Sequence, residues 1–286
     1  MKRINPPHVD DVRELQLLAN NGRLGSYPDL MNEYLMFRSQ YDDYTNHGGD
    51  PWYISQLPIS VGFRNALIAH YDDPPNGRLG FIKQFRYNLS PTICPMCGGL
   101  GNGTLDHYLP KTIYPEFAFF SKNLVPCCNC NSLRGVSVKG ASSPARAIHP
   151  FFDDFVNQRL YQSVFMGGFD APRISIEVID QSHPEIDILQ FHLDKVIDNS
   201  ATQGWFDKYW SDLSCRAHHI LKWFLPPNPQ SLTSSDLMDS IEKYRDSKDD
   251  EYETPNNWFS IFYSGLMRDQ DRVERLAQSI NASRCP

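Results

Sequence analysis

Residues 94–131 read CPMCGGLGNGTLDHYLPKTIYPEFAFFSKNLVPCCNCN, and they contain five of the seven cysteines in the chain. Four of these cysteines form two Cys-x-x-Cys pairs, which are Cys94 with Cys97 and Cys127 with Cys130. Thiols paired at this spacing are typical of tetrahedral zinc sites, in which each pair supplies two thiolate ligands. We therefore predict a structural zinc ion held by these four cysteines.

The second pair has a competitor, because Cys128 lies between Cys127 and Cys130. Cys127 is preferred as the ligand because only Cys127 stands three residues before Cys130. In a reducing compartment, clustered cysteines favour metal binding over disulfides. A site closed by four thiolates stabilises the fold and performs no chemistry itself.

Three polar residues between the cysteine pairs suit the hydrolysis of phosphodiester bonds. Asp106 and Asn123 offer hard oxygen ligands for Mg²⁺ or Mn²⁺. His107, with a neutral imidazole near pH 7, suits a general base. Taken singly, an Asp-His dipeptide is more often a surface pair, and an Asn before Leu-Val-Pro is more often a turn residue. Their order between two cysteine pairs favours the chemical interpretation.

This order resembles the HNH endonuclease family, whose ββα-metal motif combines Asp-His, a central Asn and a closing Cys-x-x-Cys-His/Asn. The matching residues are Asp106, His107, Pro110, Asn123, Leu124, Cys127, Cys130 and Asn131. The resemblance implies that His107 is the general base and that Asp106 and Asn123 serve the catalytic metal. Asn131 stands at the final position of the motif, as a ligand or as a helix cap. The spacing from Asn123 to Cys127 is one residue shorter than the commonest form.

Larger members of the family often carry an H/N-P-Y/F-x-D stretch soon after the motif. Here His149 begins the sequence HPFFD. The resemblance allows His149 to approach the site, whereas the adjacent Pro and two Phe residues favour a packing role.

Basic residues are concentrated around the motif. The whole chain has a net charge of −7, yet the segment from Arg78 to Arg146 carries eight basic and two acidic residues. A basic segment on an otherwise acidic protein favours a polyanion bound at one place, although chance clustering of solvated charges is the alternative. The candidate phosphate contacts are Lys111, Lys122, Arg134 and Lys139.

The remainder of the chain predicts a mainly α fold with a small α+β insert, in which helical regions flank a central ββα-metal motif with its four-cysteine zinc site. We divide it into an N-terminal helical region (1–90), an HNH nuclease module (91–153), and a short β hairpin followed by a helical region (154–286). Alternating apolar residues indicate the hairpin. We also expect a loop over 41–51, an acidic linker over 246–255 and one long helix over 259–280.

The leading hypothesis is a metal-dependent HNH endonuclease that cleaves DNA. The arrangement is similar to HNH effector subunits of bacterial anti-phage systems, such as the Septu type, which work with an ATPase partner. The alternatives are cleavage of RNA, for example tRNA, and a zinc module that binds nucleic acid or protein without catalysis. A chain with no long apolar run and no apolar N-terminal signal segment is expected to be cytoplasmic and not bound to a membrane.

Overall fold

The computed structural model describes residues 1–87, 91–101, 103–227 and 231–284. About half of the chain is helical, and the described residues include two small antiparallel sheets. This confirms the predicted fold class at the level of a mainly helical protein with a small β component. Within the described ranges, no helix combines the length and the apolar character needed to cross a membrane.

Within the described residues, five helices precede the cysteine-rich stretch. They are α1 (Asp11–Ala19), α2 (Asp29–Asn32), α3 (Tyr34–Asn46), α4 (Val61–Asp72) and α5 (Gly80–Tyr87). The α4 helix begins where the Ser60 hydroxyl accepts a hydrogen bond from the Phe63 amide at 3.3 Å, which satisfies one free amide of the first turn. Helices α3 and α4 both contact a short 3-10 turn, Pro115–Phe117, in the central stretch. The N-terminal helices therefore support the segment that carries the candidate site.

The central sheet consists of β1 (Thr104–His107) and β2 (Leu124–Cys127). The strands are antiparallel, with Thr104 opposite Cys127 and His107 opposite Leu124. The segment joining them contains the 3-10 turns Pro115–Phe117 and Ser121–Asn123. The short helix α6 (Cys130–Arg134) follows β2 after two residues. This order brings the Asp-His dipeptide beside the start of α6.

The C-terminal half begins with the predicted hairpin, β3 (Tyr161–Met166) and β4 (Arg173–Val178). The later elements are α7 (Ile186–His192), a π-helical turn (Leu193–Ile197), α8 (Ser200–Ile220), α9 (Ser234–Tyr252), α10 (Trp258–Leu266) and α11 (Gln270–Arg284). The α10 helix lies against β3, and Gly265 permits this approach. A Cβ atom on Gly265 would stand 1.8 Å from the Ser163 carbonyl oxygen, a distance that no side chain tolerates.

The predicted loop over 41–51 is wrong in its first half, because α3 continues to Asn46. Tyr41 and Tyr44 are buried on this last part of the helix. Their rings pack against Phe120, with ring centroids 4.1 Å and 5.2 Å apart. Burial of these aromatic rings against a distant segment outweighs the polar local sequence.

The predicted acidic linker and the predicted single long helix are also wrong. The expected linker over 246–255 is mostly part of α9. Its charges are paired along the helix, as in the contact between Lys248 and Glu251, and such pairs at i,i+3 stabilise a helix. The expected single helix over 259–280 is divided into α10 and α11. The Asp269 side chain accepts a backbone amide of the new first turn and so starts α11.

Candidate metal centre and active site

Four cysteine sulfur atoms from the two ends of the segment 94–131 lie close together. They belong to Cys94, Cys97, Cys128 and Cys130, and all lie within 4.8 Å of one another. Cys94 Sγ is 3.6 Å from Cys130 Sγ, and Cys97 Sγ is 3.5 Å from Cys128 Sγ. Four thiolates around zinc at the usual bond length stand about 3.8 Å apart. The cluster can therefore hold a metal ion such as zinc.

The choice of Cys127 over Cys128 as a ligand is corrected by this geometry. Cys127 is the last residue of β2, and its sulfur lies 3.6 Å from the hydroxyl of Thr104 on β1. Cys128 follows the end of the strand, and its sulfur accepts the Cys130 amide at 3.3 Å. The spacing from Asn123 to Cys127 was the sequence signal for Cys128. This spacing is one residue shorter than the commonest form of the motif, so the commonest form would place the ligand at Cys128.

The first cysteine pair is anchored by the C-terminal half of the chain. The Trp258 indole donates to the Cys97 carbonyl at 2.9 Å, and the Trp258 amide donates to the Gly98 carbonyl at 3.1 Å. Gly98 has φ +76°, and a Cβ atom there would stand 2.0 Å from the Asn256 carbonyl oxygen. His192 Nε2 contacts the Met96 carbonyl at 2.7 Å, and burial lowers the pKa of His192 to about 3. This neutral histidine is therefore structural.

Asp106 and His107 occupy the end of β1. The side chain of His107 is buried, with 3% exposed, while that of Asp106 is about one-third exposed. Asp106 Oδ1 accepts the His107 amide at 2.7 Å. Burial alone would raise the pKa of Asp106, but the nearby His107 ring, the hydrogen bond from the His107 amide and the contact with Asn131 outweigh burial and lower the pKa to about 2. Asp106 is therefore an ionised carboxylate at neutral pH.

The tautomer of His107 follows from its surroundings. Nε2 lies 2.8 Å from the Ala118 carbonyl oxygen, which can only accept a hydrogen bond. Nε2 must therefore carry the proton in the neutral ring, and Nδ1 keeps its lone pair. Nδ1 stands 3.8 Å from Asp106 Oδ1. The contacts therefore orient the His107 ring so that Nδ1, the nitrogen that can accept a proton, is directed towards the Asp106 carboxylate.

Asn131 lies in the first turn of α6, beside Asp106 and His107. Its Nδ2 donates to the His107 carbonyl oxygen at 3.1 Å. This contact fixes the amide orientation, because a carbonyl oxygen cannot face another acceptor. Asn131 Oδ1 is buried and has no hydrogen-bond partner among the described residues. A buried oxygen without a hydrogen-bond partner is unfavourable unless a ligand or ion supplies one. The side chain that carries this oxygen also hydrogen-bonds to Asp106.

The predicted metal role of Asn123 does not fit its position, and this assignment is corrected. Asn123 is completely buried. Its Oδ1 accepts from the Leu109 amide at 2.7 Å and from the Tyr44 hydroxyl at 3.1 Å. Its Nδ2 donates to the carbonyls of Leu109 and Phe117 at 3.0 Å and 3.2 Å. The amide has used its hydrogen-bonding capacity to hold the segment between β1 and β2.

His149 belongs to the same buried network. Its Nδ1 accepts the Phe151 amide at 3.2 Å, so Nε2 carries the proton and donates to the Tyr44 hydroxyl at 2.9 Å. Tyr44 can then donate to Asn123, which completes a chain of hydrogen bonds. Burial lowers the pKa of His149 well below its usual value. His149 is thus a neutral packing residue, as its neighbours Pro150 and Phe151 suggest.

The prediction that Arg134 contacts a phosphate is also corrected. Its side chain is buried, and Nη2 donates to the carbonyls of His107 and Tyr108 at 3.2 Å and 2.8 Å. A guanidinium shielded from solvent in this way supports the end of β1 and is not presented to a phosphate. Burial lowers the pKa of Arg134, against the attraction of nearby anionic groups that include Asp106.

The three predicted lysines lie at the surface of different segments. Lys122 Nζ donates to the Thr45 hydroxyl at 3.1 Å. Lys139 Nζ donates to the Pro51 carbonyl at 2.9 Å. Lys111 Nζ, in contrast, approaches the ring of a tyrosine that touches His107. Only Lys111 is therefore connected to the candidate base by contacts among the described residues.

A buried carboxyl group lies in the segment between the strands. Both carboxylate oxygens of Glu116 are buried and have no hydrogen-bond partner within the described ranges. Burial raises the pKa of Glu116 to about 7. Nearby, Asp11 accepts the amide and hydroxyl of Ser121 at 2.9 Å and 2.7 Å, which joins α1 to the same segment.

We expect Glu116→Gln to stabilise the protein in alkaline solution. When the pKa of a carboxyl is higher in the folded than in the unfolded protein, the group contributes its full stability at a pH below the unfolded-state pKa. That stability is lost as the pH rises through the folded-state pKa. For Glu116, the loss falls between its ordinary pKa of 4.5 and about 7. At about pH 8 the free energy of unfolding of the variant should exceed that of the wild type by on the order of 2 kcal/mol. The difference should shrink as the pH falls towards 4.5.

The matched control is Glu33→Gln, which changes an exposed glutamate. Thermal unfolding of all three proteins, with zinc content measured at each pH, separates the carboxyl from any loss of metal. Equal stability of Glu116→Gln and wild type at about pH 8 would show that Glu116 is not a buried acid.

Sequence patterns missed Tyr71, which covers His107. Tyr71 is the penultimate residue of α4, and its ring centroid is 4.4 Å from that of His107. Its hydroxyl donates to the Leu105 carbonyl of β1. In the sequence, Tyr71 was simply one member of an apolar helix stripe, so no local signal connected it to the site.

Comparison with known proteins shows a similarity to a phage protein. The chain is 28% identical over 189 residues to protein ea31 of Escherichia phage lambda. The aligned part covers 62% of this chain and 62% of that protein, so the chain spans less than two thirds of the relative's length. No protein-family model matches the chain, and no solved structure matches it. The name of the relative states no activity, so the residues of the chain itself have to indicate its function.

Proposed function

We propose that this chain is a metal-dependent HNH endonuclease that hydrolyses phosphodiester bonds of DNA. The observation that carries the proposal is the contact of three polar residues, His107, Asp106 and Asn131, at the junction of β1 and α6. The succession of β1, β2 and α6 supports the resemblance to the ββα-metal motif. The four-cysteine cluster supports it as well, because it holds the strand and helix ends together.

Asp106 and Asn131 are the residues that would hold a catalytic Mg²⁺ or Mn²⁺ ion. Asp106 supplies an ionised carboxylate, and Asn131 supplies the buried oxygen without a partner. Two hard oxygen ligands suit these ions, which keep several water molecules in protein sites. When bound, such an ion stabilises the charge on the scissile phosphate and the leaving oxygen.

His107 acts as the general base in this proposal. Its Nδ1 lone pair takes a proton from the attacking water, because Nε2 is already committed to the Ala118 carbonyl. The imidazolium that forms is stabilised by that carbonyl and by the Asp106 carboxylate. Tyr71 limits the rotation of the ring by packing against it. The chain's own groups therefore hold and orient the base without substrate.

The test is a cleavage assay on supercoiled plasmid, linear duplex DNA and RNA with Mg²⁺, Mn²⁺ or a chelator. We expect metal-dependent cleavage of DNA and a loss of about a hundredfold in Asp106→Asn, which keeps the size of the side chain but removes its charge. Asp239→Asn, at an exposed site on α9, is the control. Zinc content is measured throughout, because a chelator can also remove the structural metal.

The other outcomes identify the alternatives. Faster cleavage of RNA than of DNA would replace the proposed substrate. Absence of cleavage on every substrate, with zinc and fold intact, would favour a zinc module without catalysis. A role as an anti-phage effector that works with an ATPase partner stays a prediction, and cleavage that requires an added partner would support it.

A further inference from the structure

We propose that Arg86 and Lys111 form a binding site for a backbone phosphate of duplex DNA, next to the phosphate that is cleaved. The proposal rests on the proposed function and names the side of the site from which DNA is held. The two cations come from different elements, since Arg86 lies on α5 and Lys111 lies shortly after β1. The structure brings both of them to one aromatic ring.

That ring belongs to Tyr71, the same residue that covers His107. Lys111 Nζ is 4.6 Å from the Tyr71 ring centroid, and Arg86 Cζ is 5.7 Å from it. The ring is also in edge contact with His107, with 4.4 Å between centroids. Both cations are thus separated from the candidate base by the thickness of one side chain. Both are partly exposed, so a phosphate can reach them, in contrast to the buried Arg134.

Lys111 is paired with an acidic residue. Lys111 Nζ lies 2.6 Å from Oδ1 of Asp72, the last residue of α4. Asp72 is more than half exposed, so the ion pair contributes little to stability and can exchange its partner. A phosphate offers Lys111 the same kind of anionic oxygen. We infer that the DNA phosphate displaces the Asp72 carboxylate from Lys111.

A purely structural role makes a different prediction. Cations near the C-terminal end of α4 also stabilise that helix through its dipole. In that case, neutral variants of Arg86 or Lys111 would lower the unfolding temperature without a specific effect on DNA. Neutralising Asp72 would then remove an ion pair and give no gain in binding.

The experiment measures binding of a fluorescently labelled DNA duplex by anisotropy at several salt concentrations. It uses the full chain carrying His107→Ala, so that the probe stays intact. In this background, Arg86→Gln and Lys111→Gln should each weaken binding roughly tenfold at 0.1 M salt and reduce the log–log salt slope by about 0.9. Asp72→Asn should tighten binding about threefold, because DNA no longer competes with a carboxylate.

Lys208→Gln is the control, at an exposed position on α8, a helix that packs against β4 and α11. Unchanged affinity and slope in both Gln variants, or no tightening in Asp72→Asn, would overturn the proposal. Unfolding temperatures of all variants show whether the fold is kept. Metal-dependent cleavage without these binding changes would support the nuclease activity and contradict the phosphate site. The expected binding changes without cleavage would support the phosphate site and contradict the nuclease activity.

Discussion

Replacing His107 by Ala should reduce cleavage of plasmid DNA about a thousandfold, because general-base catalysis contributes factors of this order. Nδ1 of His107 is the only ring nitrogen left free by the contact between Nε2 and the Ala118 carbonyl. No other side chain described at the end of β1 combines a neutral base with contact to Asp106. Initial rates under saturating Mg²⁺, with zinc content and unfolding temperature recorded, measure the effect.

His219→Ala is the matched control, since it removes an exposed histidine from α8. It should cleave at the wild-type rate. A second variant, His107→Asn, keeps a polar side chain at the buried position and guards against a simple packing defect. Cleavage by both His107 variants at near wild-type rates would contradict the assignment of the base. Loss of cleavage together with loss of zinc would indicate a structural defect, which the second variant is designed to separate.

Replacing Cys128 by Ser should release the metal, whereas Cys127→Ser should retain it. The sulfur of Cys128 belongs to the four-sulfur cluster, and that of Cys127 faces the hydroxyl of Thr104. Structural zinc sites contribute much of the folding free energy of the segments that they join. We expect Cys128→Ser to lower the free energy of unfolding by about 3 kcal/mol or more, and Cys127→Ser by about 1 kcal/mol.

Zinc content per chain, measured after dialysis, and unfolding in denaturant provide the two readouts. The comparison is closely matched because the two cysteines are neighbours and receive the same substitution. Retained zinc in Cys128→Ser with lost zinc in Cys127→Ser would restore the assignment made from the Cys-x-x-Cys spacing. Equal effects of the two variants would mean that the cysteines exchange as ligands.

Local sequence was informative where chemistry depends on residue type and near spacing. The cysteine pairs predicted a four-cysteine site, and Cys94, Cys97 and Cys130 belong to the sulfur cluster that the structure shows. Alternation of apolar residues predicted β3 and β4, which form the expected hairpin. These features follow from periods and spacings within a few residues, and such signals are present in a single sequence.

Local sequence gave wrong predictions where the role of a side chain depends on contacts with residues that are distant in sequence. The Asn123 side chain could serve as a metal ligand by its chemistry, but its amide makes four hydrogen bonds to residues that the fold brings near. Arg134 has the charge of a phosphate contact, but burial removes it from solvent. The last part of α3 has a loop's polarity, yet Tyr41 and Tyr44 are buried against Phe120. None of these partners is adjacent in sequence.

By itself, the sequence therefore determined which chemical groups this protein has available: thiols for a metal, and an Asp-His pair followed by asparagines. Only the tertiary structure decided how they are used. It selected Cys128 in place of Cys127, left the oxygen of Asn131 without a partner, and brought Tyr71 onto His107. The physical reason is that hydrogen-bond saturation and burial are set by contacts between distant segments, which residue type and spacing do not encode.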